Sequence, residues 1–207
     1  MQIRELIYRG EFKPGQQIPP ERELAASMKV SRTSVRNAIE KLVQLDLLRQ
    51  VQGQGTFVSS PDQRSGNPLA AVMNTDEATF HDLLEVRIGL ECTAARLAAR
   101  RATTQDIIAI EKTLQEMESD LELTGQISTT SDTAFHMAIS FATKNPHLTR
   151  HFYDFLFVGI KKSLRHFDGY DESAYGDILV HHAEMFKYIK AGDGEAAYKS
   201  MSTHLNY

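Results

Sequence analysis

The stretch VSRTSVRNAIEKL, residues 30–42, decides the fold of the first part of the chain. Apolar side chains recur in it at positions i, i+3, i+4 and i+7, the spacing of one buried face of an α-helix. These side chains are Val35, Ala38, Ile39 and Leu42. The opening turn instead carries hydrogen-bond donors that the helix does not need for its own stability: Ser31, Arg32, Thr33, Ser34 and Arg36. We therefore predict a helix capped by Ser31 whose first turn contacts a partner rich in acceptors.

The segments around this helix predict the element order of a winged helix-turn-helix. A short helix is expected from residue 1 to its end at Gly10, and a second begins after Pro20. After the helix of residues 30–42, LLRQVQGQGTFVSS contains strand-forming residues on both sides of a turn marked by Gly53 and Gly55. The predicted order is helix, helix, turn, helix and β-hairpin.

The hydrogen-bond donors at the start of the third helix suit contacts with nucleic acid. In a helix-turn-helix, the second helix of the motif enters the major groove with its N-terminal residues against base edges and phosphates. Arginine suits guanine edges and phosphates, and serine or threonine hydroxyls suit phosphates or either base edge. A solvated helix start with a good cap would explain the same residues. Arg22, at the start of the preceding helix, and the small polar hairpin tip QGQG favour DNA binding.

Charge and composition divide the chain into two modules. Residues 1–60 carry nine Lys and Arg against six Asp and Glu, whereas the remainder carries fourteen against twenty-one. A basic first third joined to an acidic remainder indicates different partners, with a polyanion for the basic module. SSPDQRSGNP, at residues 59–68, contains no apolar residue. We predict a DNA-binding domain at residues 1–59, a linker at 60–68 and a second domain at 69–207.

The sequence also excludes several protein classes. Cys92 is the single cysteine, so an intrachain disulfide is impossible and a reducing compartment, the cytoplasm, is expected. We expect Cys92 to be a small buried side chain of a helix. No apolar run reaches the roughly 20 residues of a membrane span. The residues after Met1 are polar and helical in pattern, so no signal peptide is expected.

Beyond the linker, periodicity predicts helices only. They are expected at about residues 76–101, 103–123, 128–144, 146–167, 175–191 and 194–206. Thr103 and Asp106 resemble a capping box, and Pro146 suits the first position of a helix. The expected fold is mainly α, with an N-terminal winged helix-turn-helix and a C-terminal all-α bundle of about six helices.

Three of these helices place metal-competent side chains on apolar faces. Asp132 and His136 lie one turn apart and project from the same face. His182 belongs to an apolar stripe, whereas its neighbour His181 is expected to face water. His204 shares the apolar face of the last helix. The four inward side chains are thus Asp132, His136, His182 and His204.

Each of these residues alone has a simpler explanation. A single histidine on an apolar face is usually a hydrogen-bonded core residue, and an Asp–His pair one turn apart can be only a salt bridge. Four together are costly to bury without a shared counterpart. One carboxylate and three imidazoles suit a divalent metal ion such as zinc, nickel, manganese or iron(II). They leave positions open if the ion is five- or six-coordinate.

Residues 12–58, FKPGQQIPPERELAASMKVSRTSVRNAIEKLVQLDLLRQVQGQGTFV, resemble the DNA-binding domain of the GntR family of bacterial transcription regulators. The resemblance implies that Arg22, Arg32, Arg36 and the wing tip around Gln52 and Gly53 touch operator DNA. The family often has a basic residue in the wing, where this chain has two glutamines. Wing contacts are therefore expected to be weaker or different here.

The rest of the chain resembles the FadR-like subgroup, whose helical effector domain is called FCD. The resemblance rests on LLEVRIGLE, SDTAFHMAIS, HHAEMFKYIKAGD and MSTHL. Many FCD domains bind a metal through an aspartate and three histidines, and all four positions match here. Arg87 lies on an apolar face and needs an anion, either Glu91 one turn on or the carboxylate of an effector. In similar proteins this arginine helps hold an acidic effector near the metal. The resemblance implies small organic acids such as lactate, glycolate, sugar acids of the gluconate type or other carboxylates.

Three functions from different classes follow. The first is a homodimeric regulator in which metal and a small organic acid alter the spacing of two DNA-binding domains on operator DNA. The alternative is a metal-dependent hydrolase of the all-helical type with an appended DNA-binding module. His81 and Asp82 supply a His–Asp dipeptide for it, but they lie outside the four ligands. The third is an architectural DNA binder with a structural metal. We expect the regulator, and no enzyme.

Overall fold

The computed structural model describes residues 2–8, 11–60, 80–163 and 172–207. The chain divides into two compact units, Met1–Ala71 and Val72–Tyr207. The first unit has the element order of a winged helix-turn-helix, and the regular structure described in the second is all helical, as the sequence predicted. From residue 61 onward the predicted linker lies outside the described residues, so its bounds stay a prediction.

The first unit contains three helices and a two-stranded antiparallel sheet. Its elements are α1 (Gln2–Tyr8), α2 (Glu21–Ser27), α3 (Arg32–Gln44), β1 (Leu48–Val51) and β2 (Gly55–Val58). Gly10, the predicted end of the first helix, lies outside the described residues. Apolar side chains from every element form the core of this unit, among them Ile7, Leu24, Ile39, Leu48 and Val58.

The third helix has the cap and the buried face that its sequence predicts. The Ser31 hydroxyl accepts a hydrogen bond from the Ser34 amide at 3.0 Å, which satisfies one of the unpaired donors of the first turn. Val35, Ile39 and Leu42 are buried. Lys29, with a φ of 54°, adopts the left-handed conformation in the turn between α2 and α3. The turn therefore lets α3 present its first residues outward while its apolar face packs inward.

The side chain of Gln17 supports the turn of the β-hairpin. Leu48 pairs with Val58 and Val51 with Gly55 across the two strands. Gln17 donates from Nε2 to the carbonyl oxygen of Gln54 at 2.7 Å. A Cβ atom at Gly55, whose φ is 121°, would lie 2.5 Å from that nitrogen. The backbone conformation therefore favours glycine at this position, and a larger residue would also displace the end of the Gln17 side chain from its hydrogen bond.

The second unit consists, in its described part, of six helices. They are α4 (Phe80–Arg101), α5 (Thr104–Thr124), α6 (Thr129–Ala142), α7 (Pro146–Ser163), α8 (Glu172–Ala191) and α9 (Gly194–Leu205). Residues 76–79 and 164–167 of the predicted helices lie outside the described residues. The predicted helix at 175–191 begins three residues earlier than expected. Elsewhere the bounds agree closely with the sequence pattern.

Small side chains bring α4 close to α9. Ala95 and Ala98 of α4 are fully buried. At the start of α9, a Cβ atom on Gly194 would lie 3.0 Å from the backbone oxygen of Arg96. Packing in this unit is continuous through one core, whose buried members include Cys92, Ile110, Met117, Phe135, Ile139, Met185, Ile189 and Met201. Cys92 is buried in a helix, as predicted.

The start of α5 is fixed by the predicted capping box. Thr103 accepts from the amide of Asp106, and the Asp106 carboxylate accepts from the amide of Thr103 at 2.7 Å. The same carboxylate pairs with Lys144, which follows α6. Asp106 therefore joins the beginning of one helix to the end of the next. No helix in the described part of the chain is long and apolar enough to cross a membrane.

Candidate metal centre and DNA-binding surface

The predicted DNA contacts lie on the surface of the first unit. Each of the eight residues is exposed: Arg22, Ser31, Arg32, Thr33, Ser34, Arg36, Gln52 and Gly53. Arg22 belongs to the first turn of α2, the next five form the cap and opening turns of α3, and the last two form the hairpin tip. Gly53 adopts the left-handed conformation that the tight turn needs, with a φ of 75°.

Glu21 holds one of these arginines, a contact that the sequence did not predict. Arg36 donates from Nε to Glu21 Oε1 at 3.1 Å and from Nη2 to Oε2 at 3.0 Å. This two-point contact fixes the direction of the guanidinium. The hydrogen bond from Arg36 lowers the pKa of Glu21, so the carboxyl stays ionised at neutral pH. Its sequence signal was weak, because an acid in the first turn of a helix is already explained by the helix dipole.

In the second unit the structure brings together the four predicted metal ligands. Asp132 and His136 come from α6, His182 from α8 and His204 from α9. One ligand atom from each lies within 4.8 Å of all the others. His182 Nε2 is 3.2 Å from His136 Nε2 and 3.4 Å from Asp132 Oδ1. His136 Nε2 is 3.7 Å from the same aspartate oxygen.

These distances fit a metal ion. Ligand atoms about 2.0–2.1 Å from a tetrahedral zinc ion lie about 3.3–3.4 Å from one another. The three separations that involve Asp132, His136 and His182 lie on either side of that value. Two imidazole nitrogens that face each other also share at most one proton, which leaves a lone pair for a cation. The donor set of three imidazoles and one carboxylate suits zinc, nickel, manganese or iron(II).

The cluster is buried on one side and accessible on the other. His136 and His182 are 1% and 0% exposed, whereas Asp132 and His204 are half-buried. Burial lowers the pKa of His182 to about 4. Burial and the neighbouring His182 and His136 rings also lower the pKa of His204. Both rings are therefore neutral at neutral pH, the state in which an imidazole binds metal.

The expectation that His181 faces water was wrong. Its side chain is half-buried, and its ring lies 4.9 Å from that of Tyr207 and 6.1 Å from that of His204. Tyr207 donates a hydrogen bond to Asp177 at 2.8 Å, so the second residue after α9 covers this side of α8. Periodicity within α8 cannot reveal a cover that comes from another part of the chain.

A buried carboxylate links Arg87 to the cluster. Glu91 is 1% exposed, and its Oε1 accepts from Arg87 Nε while its Oε2 contacts His136 Nδ1. Burial alone would raise the pKa of Glu91, but Arg87 and His136 outweigh burial and lower it. The charge of Arg87 also contributes to the lowered pKa values of His182 and His204. Arg87 therefore lies near the ligands, with Glu91 as its partner.

The sequence had named Glu91 only as the simpler partner of Arg87, and its contact with His136 was missed. A signal was available, because Glu91 falls on the apolar face of α4 beside the buried Cys92. An acid in such a place needs a hydrogen-bonded counterpart. By contrast, His81 and Asp82 are exposed in the first turn of α4, and His81 contacts Glu85 at 3.4 Å. This dipeptide is outside the cluster.

Comparison with protein families gives two matches. Residues 82–207 match the FCD domain, and residues 1–58 match the bacterial regulatory proteins of the gntR family. Together the two matches cover nearly the whole chain, with one in each structural unit.

Individual relatives agree with these matches. The chain is 31% identical to the HTH-type transcriptional regulator LutR of Bacillus subtilis over 97% of this chain and 93% of that protein. It is 39% identical to the Uxu operon transcriptional regulator of Escherichia coli, over 72% of this chain and 59% of that protein. The solved structure of Streptococcus agalactiae GntR is similar, with a TM-score of 0.54, 27% identity and coverage of 99% and 94% of the two chains.

Proposed function

We propose that this chain, which belongs to the gntR family of bacterial regulatory proteins and carries an FCD domain, is a metal-dependent sensor of a small carboxylate. As a member of this family it is a DNA-binding transcription regulator and not an enzyme, since its relatives are regulators. The hydrolase alternative is not favoured. The finer statements about metal, effector and assembly are our proposals.

In the proposed DNA complex, the exposed opening turns of α3 enter the major groove. Arg32 and Arg36 read guanine edges or contact phosphates, and the hydroxyls of Ser31, Thr33 and Ser34 contact phosphates or base edges. Arg22 adds a contact from α2, and Gln52 and Gly53 of the wing lie along the neighbouring groove. The support is that all eight residues are exposed on a winged helix-turn-helix.

The metal proposal is carried by one observation, the convergence of four ligand atoms within 4.8 Å. Asp132, His136, His182 and His204 would hold one zinc, nickel, manganese or iron(II) ion. The ion would supply a positive charge and open coordination positions for an acidic ligand. The half-buried side of the cluster gives such a ligand a route to the site.

Arg87 is the second group, beside the metal ion, that we propose to bind the effector. Its side chain is 24% exposed, and its positive charge contributes to the lowered pKa values of His182 and His204. A guanidinium beside the proposed metal ion gives the carboxylate of an effector a second positive group to bind. Lactate, glycolate and sugar acids of the gluconate type are the proposed class, which rests on the resemblance to the FadR-like subgroup.

We further propose a homodimer that acts in the cytoplasm. A single unit of this kind covers one half-site, and a two-fold symmetric operator then requires two. The acidic helical unit is the proposed site of most dimer contacts.

The test is a DNA titration with and without carboxylates. Duplex DNA selected in vitro by the protein itself serves as the operator, and fluorescence anisotropy measures affinity. We expect the zinc-loaded wild type to change its affinity for the duplex with at least one of lactate, glycolate and gluconate. His182→Ala should bind the duplex equally well and respond to none of them. An equal response in wild type and His182→Ala would contradict the proposal.

A further inference from the structure

We propose that Glu91 is a positioning residue of the metal centre, which orients His136 toward the ion and ties Arg87 to the same site. This inference rests on the proposed metal binding and goes beyond the four ligands. It assigns to Glu91 an effect on metal affinity, which a plain salt bridge with Arg87 would not have.

The two oxygens of the Glu91 carboxylate contact two different side chains. Oε1 accepts from Arg87 Nε, one turn earlier on α4, and Oε2 contacts His136 Nδ1 on α6. Glu91 is 1% exposed, so water cannot substitute for either partner. A buried carboxylate whose two oxygens contact side chains of two different helices holds both of those side chains in one arrangement.

This contact determines which nitrogen of His136 faces the ligands. When a carboxylate accepts from Nδ1–H of an imidazole, the lone pair on Nε2 is left for a metal ion. Nε2 of His136 is 3.2 Å from His182 Nε2 and 3.7 Å from Asp132 Oδ1, on the side where the ligand atoms converge. Carboxylates that bond the second nitrogen of a metal-binding histidine typically improve metal affinity about 10- to 100-fold.

The same unit contains a matched control. Glu195 of α9 also accepts from arginines, with Arg96 at 2.9 Å and Arg100 at 3.0 Å. Its side chain is 67% exposed, and it is not one of the cluster residues. Replacing either glutamate with glutamine removes one charge and weakens its arginine contacts, one at Glu91 and two at Glu195. Only the change at Glu91 alters a contact of a proposed ligand.

The experiment compares zinc affinity in the full chain of the wild type, Glu91→Gln and Glu195→Gln. Competition with a chromophoric chelator measures affinity, and the visible absorption of bound cobalt(II) reports ligand geometry. We expect Glu91→Gln to bind zinc about 10- to 100-fold more weakly and to change the cobalt spectrum. Glu195→Gln should match the wild type in both measurements.

A second measurement needs no variant, which matters if Glu91→Gln fails to fold. In the wild type labelled with ¹⁵N-histidine and loaded with zinc, NMR identifies the nitrogen of His136 that carries hydrogen. We expect hydrogen on Nδ1 and zinc on Nε2. Zinc on Nδ1 would overturn the inference.

The outcomes separate this inference from the proposed function. If the wild type binds zinc and folded Glu91→Gln binds it equally with the same cobalt spectrum, Glu91 is only a structural partner of Arg87 and the metal site still stands. If the wild type binds no zinc, nickel, manganese or iron(II), the metal site and the role of Glu91 are both refuted.

Discussion

At the scale of single residues, three arginines that were predicted to bind an anionic partner have different surroundings. Arg32 is exposed at the first turn of α3, Arg36 is held by Glu21 across 15 positions of sequence, and Arg87 contacts the buried Glu91. Helical spacing predicts the face on which such a side chain lies. It does not predict a partner on another element, so the contact of Arg36 with Glu21 was found only in the structure. By contrast, Glu91, one turn from Arg87 on the same helix, was already a candidate partner.

Replacing either arginine of α3 should weaken operator binding. We expect Arg32→Ala and Arg36→Ala each to cost about 1–3 kcal/mol of binding free energy, the usual cost of losing a base-reading arginine. Lys41→Ala, at an exposed position in the last turn of the same helix, is the matched control and should change affinity less. Calorimetry or anisotropy on selected DNA measures the effect. Unchanged affinity in both arginine variants would remove α3 from the interface.

Glu21 should affect specificity more than affinity. Glu21→Gln removes a negative charge beside the proposed DNA surface, so affinity for random DNA should rise. It also weakens the two-point contact that directs Arg36, so the ratio of operator to random affinity should fall. Both affinities are measured at the same salt concentration. A ratio equal to that of the wild type would show that Arg36 does not depend on Glu21 for its direction.

At the scale of elements, Asp106 should contribute measurably to the stability of the helical unit. Asp106→Ala removes the capping-box hydrogen bond from the Thr103 amide and the ion pair with Lys144. We therefore expect a loss of about 1–2 kcal/mol in the free energy of unfolding. Glu118→Ala, at an exposed position on the same helix, is the control. Urea unfolding followed by circular dichroism measures both. Equal midpoints for the two variants would show that the cap contributes nothing.

The contribution of Asp106 should also depend on pH. Burial would raise the pKa of Asp106, but hydrogen bonds from Lys144 and Thr103 outweigh it and lower the pKa. A group whose pKa is lower in the folded state stabilises the protein above its unfolded pKa and loses that effect as pH falls through the folded value. The difference in unfolding free energy between wild type and Asp106→Asn should therefore shrink in acid. A difference that grows toward acid would contradict this sign.

Caps and apolar stripes explain why the elements were predictable. Ser31, Thr103 and Ser128 each cap a helix through a local hydrogen bond, which the sequence shows within three or four residues. The convergence of the four proposed metal ligands was predictable for the same reason, since each lies on an apolar face of its own helix. Contacts between elements were not predictable in this way. The cover of His181 by Tyr207 and the contact of Glu91 with His136 depend on how separate helices pack.

At the scale of the whole molecule, charge separates the part that is proposed to bind DNA from the rest of the chain. The first sixty residues are basic and the remainder is acidic, so only the first sixty residues have a net charge that attracts DNA. Our domain bounds of 1–59, 60–68 and 69–207 are compatible with the division at Ala71 and remain a prediction.

The protein should be a homodimer in solution and on DNA. A two-fold symmetric operator offers two equivalent half-sites, and one DNA-binding unit covers one of them. Light scattering of the free protein should give the mass of two chains. On a selected duplex the stoichiometry should be two chains per operator. A single chain in both states would refute the dimer.

The metal content of the purified 207-residue chain is the most direct test, since the proposed effector binding depends on the proposed ion. The wild type, His182→Ala and His151→Ala are loaded with zinc, desalted and measured by elemental analysis. His151 is an exposed histidine of α7 outside the cluster and serves as the control. We expect one zinc ion per chain in the wild type and in His151→Ala, and none in His182→Ala. Equal zinc in all three, or none in the wild type, would contradict the proposed metal site.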